Sequence, residues 1–162
     1  MTAHTLDPEL RGFVEAEVDG SIRWLWDHAT ADPGVPGFGQ VLDRDDVPGV
    51  TSTAATGFAL AAWCVGLERG LLVREEVVER VRGALRGLLA LPHSGGLLVH
   101  FADATTLARQ GRAEYSTIDT VLALDGAVVA AQVTGDAEVT ERTEQLLSRV
   151  DWNATVHERD GA

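Results

Sequence analysis

Glu114-Tyr115-Ser116-Thr117-Ile118-Asp119-Thr120 decides how this chain is read. A serine three residues before an acid, followed by an almost uninterrupted apolar run, marks a helix N-terminus. A similar stretch, without the acid, stands 64 residues earlier, in Ser52-Thr53-Ala54-Ala55-Thr56-Gly57-Phe58-Ala59-Leu60. Aligned with residues 116–124, five of its nine positions are identical. Each copy opens an apolar helix that a short turn joins to an amphipathic one. The repeating unit is therefore a helical hairpin with an inner and an outer member.

The remaining elements follow from spacing. Pro8 after Asp7 predicts a first helix that runs to about His28, with Leu10, Val14, Val18 and Ile22 at helical intervals. Helices are expected over about 52–70, 74–91, 116–133 and 136–151. The third and fifth of the five are amphipathic. The pattern predicts an all-α chain of antiparallel helices, with one strand expected at Leu97-Leu98-Val99-His100-Phe101. Residues 29–50 and 92–114 read as long loops, and residues 157–162 as a frayed tail. Short turns make the second and fourth helices parallel, so both long loops open on one face, above the inner helix N-termini. Function is expected there.

Composition narrows the classes. The 162 residues suit one domain, and 45% hydrophobic content suits a globular one. The formal charge is −12, and every one of the 13 basic residues is arginine. Such acidity argues against nucleic acid and against anionic membranes as partners. Cys64, the single cysteine, excludes an intrachain disulfide and reads as a small buried hydrophobe. The first residues form no signal peptide, and no apolar run is read as a membrane span, which as written makes the protein cytoplasmic.

The candidate site gathers around the second loop. His100-Phe101-Ala102-Asp103 precedes Glu114 and Asp119, so three carboxylates converge at one helix mouth. Paired carboxylates are what acid–base chemistry on a glycosidic bond requires. Each also has a plainer reading. Asp119 completes a capping box with Ser116, Glu114 is a solvated loop residue, and Asp103 with His100 sits in a surface turn. Asp43-Arg44-Asp45-Asp46 reads as a sugar-contacting loop or a solvated charge run. Trp24, Trp26 and Trp63 lie at core spacing. His100, Asp103 and Glu114 match no metal-ligand spacing, and neither a metal nor a cofactor is expected.

These residues resemble a known family. Arg23-Trp24-Leu25-Trp26, Val41-Leu42-Asp43-Arg44, the Ser52 helix through Gly66-Leu67-Glu68-Arg69-Gly70, His100-Phe101-Ala102-Asp103, the Glu114–Thr120 block and Val150-Asp151-Trp152 are similar, in order, to the bacterial glucoamylase-like domain. That domain is an (α/α)6 toroid found in β-1,2-glucan hydrolases and cyclic β-glucan synthases. The resemblance implies that residues 1–162 are the N-terminal portion of such a toroid. It implies a glucan-binding cleft with Asp103, Glu114 and Asp119 as catalytic candidates. His100, Phe101, Tyr115, Asp43 and Arg44 would bind substrate. Asp125 departs from the family, where an aliphatic residue is usual. A closed ring of six hairpins would need more than twice this length. Two outcomes are therefore expected: a glycoside hydrolase once the ring is completed, or a non-catalytic carbohydrate-binding or scaffold half-toroid. In either case the chain itself or a second chain would supply the missing helices.

Overall fold

The computed structural model describes residues 7–155; the tail expected over 157–162 lies outside them. Five α-helices make up the body: α1 (Pro8–Asp27), α2 (Thr53–Glu68), α3 (Arg74–Ala90), α4 (Thr117–Thr134) and α5 (Ala137–Arg149). Their bounds match the sequence expectations closely because cap chemistry sets the ends. Asp7 accepts from the Glu9 and Leu10 N–H groups with Pro8 at the first position, and Gly135 closes α4 in the left-handed region.

Helices α2 and α4 form the inner layer and touch backbone to backbone. A Cβ added to Gly126 would lie 2.1 Å from the Gly57 carbonyl oxygen, and one on Gly57 would lie 2.4 Å from that of Leu122. Helices α3 and α5 form the outer layer and pair with each other. Arg142 and Arg149 of α5 donate to the Arg82 and Leu89 carbonyls of α3, each at 2.7 Å. Asp136 caps α5 and also receives Arg82 at 3.0 and 2.6 Å. The core between the layers is apolar: Leu60, Trp63, Val77, Val81, Leu85, Leu88, Ala127 and Val139 are all buried. Trp63 is fully covered, as its spacing predicts, and Trp26, half-buried against the core, meets it edge-on at 5.7 Å. Cys64 is buried too, and desolvation pushes its thiol up to about 11, so it behaves as an inert hydrophobe.

Helix α4 is long and apolar enough, by length and composition, to cross a bilayer, contrary to the expectation that no run reaches that size. Here α4 packs against α2 on one side and α5 on another, which accounts for its composition.

The loops hold more strand than the sequence shows. Expected over 97–101, the strand divides into β3 (Leu97–Leu98) and β4 (Phe101–Asp103). Two others pair with them: β1 (Val50–Ser52) lies antiparallel to β4, and β2 (His93–Ser94) to β3. The bridges Leu42 to Thr51 and Ala102 to Arg109 extend the β1–β4 pair on both sides. Thus both long loops share one face, as their spacing requires, and one small sheet sews them together. The first loop is sewn again at Gly37, where the approach of the Ala104 carbonyl leaves no room for a Cβ.

The inner contact gives a direct test. Gly126→Ala should destabilise the protein by about 1–3 kcal/mol, because backbone cannot yield as a side chain does. Gly12→Ala, on α1 with nothing near its missing Cβ, should instead stabilise by about 0.5–1 kcal/mol. Chemical denaturation of the two variants should give opposite signs.

Candidate functional site

Helix α4 begins inside the sheet region, and its first turn builds the site. Ser116 is the N-cap, with its hydroxyl accepting from the Asp119 N–H at 3.3 Å. That is half of a capping box. The other half is absent, because the Ser116 N–H goes to the Leu98 carbonyl at 3.0 Å. The Asp119 carboxylate is therefore free to turn elsewhere. Its Oδ2 receives the Ser116 hydroxyl in a short hydrogen bond, and its Oδ1 faces His100 Nε2 at 3.4 Å. Asp119 is 5% exposed. A carboxylate so covered needs such partners.

His100 stands between two acids. Its Nδ1 lies 2.8 Å from Glu114 Oε1, opposite the Nε2 contact to Asp119. The main chain fixes its place: the His100 N–H donates to the Glu114 carbonyl at 2.9 Å, and its own carbonyl receives the Thr53 N–H at 3.0 Å. The Phe101 ring stacks on the imidazole with centroids 3.6 Å apart. The sheet region thus brings His100, Glu114 and Asp119 together from three separate positions in the chain.

A general acid at Glu114 would need a raised pKa. Glu114 is exposed, and its carboxyl is held below the usual glutamate range, first by its own backbone N–H and then by His100. It rests ionised. Tyr115 carries the Arg109 guanidinium over its ring at 4.7 Å.

Asp103 serves its own turn. Oδ1 accepts from the Thr105 N–H at 3.0 Å, the Thr106 N–H at 2.7 Å and the Thr106 hydroxyl at 2.8 Å. These bonds, Thr106 first, hold its carboxyl below the usual aspartate range. Among the described residues no hydrogen bond joins it to His100, Glu114 or Asp119. The turn also holds Leu107, the single non-glycine residue at positive φ among those described, whose side chain is buried.

The first loop contributes a second histidine that sequence reasoning missed. His28 Nε2 meets Asp45 Oδ1 at 2.7 Å, Nδ1 lies 2.7 Å from the Trp24 carbonyl, and the ring stacks on Trp24 at 4.2 Å. Asp45 thus stays exposed but has a partner, and Asp43 and Arg44 pair with each other at 2.9 Å. Asp43 stays joined to the sheet, since its N–H donates to the Val50 carbonyl opposite Asp103. No sequence signal pointed to His28: seventeen residues separate it from Asp45. Among the described residues no group of three or more His, Cys, Asp or Glu side chains is placed to hold a metal ion.

Comparison with known proteins shows a fold shared with helical toroids. An endo-β-1,2-glucanase from Chitinophaga pinensis, solved with sophorotriose and glucose, superposes over 91% of this chain with a TM-score of 0.74 at 21% identity. A β-1,2-glucanase from Parabacteroides distasonis matches over 87% with a TM-score of 0.75 at 22% identity. A Bacteroides fragilis structure provisionally described as a glucoamylase covers 99% at 0.75 and 20% identity. Among curated proteins, the exo β-1,2-glucooligosaccharide sophorohydrolase of Parabacteroides distasonis is 32% identical over 91 residues. The chain spans 12% of that relative's length and between 21% and 40% of the three solved chains. No protein-family model matches it. The fold is that of a partial all-α toroid, resembling the glucoamylase-like glycoside hydrolase domain.

The Asp103 turn has a defined acid response. A carboxylate whose folded pKa is depressed contributes its stabilisation above the unfolded value, here 3.8, and loses it as pH falls through the folded value. Amide exchange at Thr105 and Thr106, corrected for its intrinsic pH dependence, should accelerate below that window. In Asp103→Ala it should already be fast at neutral pH. Equal protection in the two proteins would remove the turn-holding role.

Proposed function

We propose that this chain forms part of the substrate cleft of a glycoside hydrolase acting on β-linked glucan, with Glu114 and Asp119 as its working carboxylates. The observation that carries this reading is the pair of acids held on the two nitrogens of His100 at the mouth of an inner helix. The solved neighbours include enzymes named for β-1,2-glucan cleavage, and that is the substrate class proposed. Glu114, exposed and ionised, suits a base that draws a proton from water or a carboxylate that faces positive charge at the anomeric carbon. Asp119 is held by the Ser116 hydroxyl at a helix N-terminus, and it would stabilise charge at the anomeric carbon. Phe101, Tyr115, Asp43 and Arg44 would contact sugar from the sheet. Asp103 would act by shaping its loop. The remaining acid and the far wall of the cleft would come from the rest of the ring.

With a complete ring assembled, Glu114→Gln should lower hydrolysis of β-1,2-glucooligosaccharides by at least about 10²-fold, the usual loss on removing acid–base assistance. Reducing-end release measured for both proteins decides it; an unchanged rate would take Glu114 out of the mechanism. Binding with no turnover, followed by calorimetry, would favour a carbohydrate-binding module.

A second reading, a half-toroid that works only with a partner chain or a second copy, draws on the exposed apolar surface. Phe13 is 63% exposed on α1, Phe58 57% on α2 and Ile118 63% on α4. With Val14, Val18, Val65, Val128 and Val129 they leave apolar surface on α1, α2 and α4. Surfaces of that kind mark interaction sites or aggregation liabilities. The chain alone should therefore self-associate or bind a hydrophobic dye at micromolar concentration. Sedimentation that shows a dye-free, high-melting monomer would refute this.

A further inference from the structure

The deepest unexplained feature is His100, whose two ring nitrogens both face carboxylate oxygens. A neutral imidazole has one N–H and one lone pair. It can donate to Glu114 or to Asp119, not to both. If both acids are ionised and the ring is neutral, one contact sets a nitrogen lone pair against an anionic oxygen. Two arrangements avoid this. In one, the imidazole is protonated and donates to both carboxylates. In the other, the ring is neutral and one acid carries a proton that it donates to the facing nitrogen. Both place one proton in each contact, and both give the trio the same net charge, one negative.

We propose that Glu114, His100 and Asp119 hold two protons in common, and that His100 is the positioning residue through which one of them passes between the buried and the exposed acid. The step breaks Nδ1–H and forms Oε1–H on Glu114. The ring is left neutral, with Nε2–H still on Asp119. From the opposite form, Asp119 gives its proton to Nε2 while Nδ1 gives one to Glu114. No charge leaves the trio in either case. This rests on the hydrolase reading only for its purpose: the return of that proton to the ring restores the ionised Glu114 that can draw a proton from water.

The surroundings are consistent with this. The imidazole faces Glu114 from the loop before α4 and Asp119 from α4, and the Phe101 ring stacks on it from β4. Arg109 acts on Glu114 through space and favours its charge. The Ser116 hydroxyl is committed to Asp119 Oδ2, so Oδ1 remains for the ring. The Nε2 contact, at 3.4 Å, is the looser of the two.

Proton positions can be read on this chain without any turnover. Long-range nitrogen–proton correlations report which ring nitrogens carry hydrogen, and carboxyl carbon shifts report the acids. At neutral pH the trio should show two bridging protons: both ring nitrogens protonated, or one of them with one protonated carboxyl. Glu114→Gln and Asp119→Asn each bring an amide that can supply its own N–H to the ring. Each variant should therefore leave a single ring proton, on Nε2 in the first and on Nδ1 in the second. A merely structural histidine would keep the same ring protonation in all three proteins. The proposal is overturned if the parent protein shows one ring N–H with both carboxyls ionised, or if neither substitution changes the ring. Glucan hydrolysis by the completed ring is scored separately, so a failed hydrolase reading leaves this result standing, and the reverse also holds.

Discussion

One clamp, used twice, holds the loops on the helices. In each hairpin the N-cap serine donates its backbone N–H to a buried strand residue, Ser52 to Val41 and Ser116 to Leu98. Four residues later a threonine receives that same residue's N–H: Thr56 from Val41 at 3.1 Å, Thr120 from Leu98 at 2.9 Å. Each threonine hydroxyl then bonds back to the serine carbonyl. Val41 and Leu98 are essentially inaccessible, so both of their backbone groups must be satisfied inside the protein. The repeated Ser and Thr positions are thus the means by which an irregular loop is buried above an inner helix at little cost.

The candidate site depends on that clamp. Because the Ser116 N–H is taken by Leu98, the Asp119 carboxylate cannot close the capping box in the usual way. It turns to the Ser116 hydroxyl and to His100 instead. The clamp also sets the height of the segment from Leu98 to His100, and so brings the imidazole between the two acids. In the first hairpin the corresponding position is Ala55, and there the clamp stands without any acid. The same local device therefore supports a plain structural junction in one copy and a charged cluster in the other.

The inner layer carries a second constraint. Gly57 and Gly126 allow α2 and α4 to meet at backbone distance, and the two helix mouths are then close enough for one small sheet to span both loops. Arg142 and Arg149 tie the outer helices together through carbonyls on α3, and Arg82 of α3 pairs with Asp136 and Glu138 at the start of α5. Helices α1, α2 and α4 still expose apolar residues, and this chain spans between 21% and 40% of the three solved chains of similar fold.

Much of this was legible in the residues themselves. Helix positions, caps and the inner–outer hairpin order follow from periodicity and cap chemistry, which are local, and the common face of the two loops follows from short turns. The convergence of Glu114 and Asp119 was also visible, because both flank one cap. What tertiary structure alone decided involves groups distant in sequence. Nothing in the spacing shows that β1 pairs with β4, that Asp45 reaches His28, or that His100 divides its two nitrogens between Glu114 and Asp119. Nor does it show that Asp103 spends its carboxylate on its own turn, or that Glu114 stays exposed with its charge favoured. Those outcomes depend on which hydrogen-bond partners remain after the backbone has taken its own, a competition that is settled only when the loops are folded onto the helices.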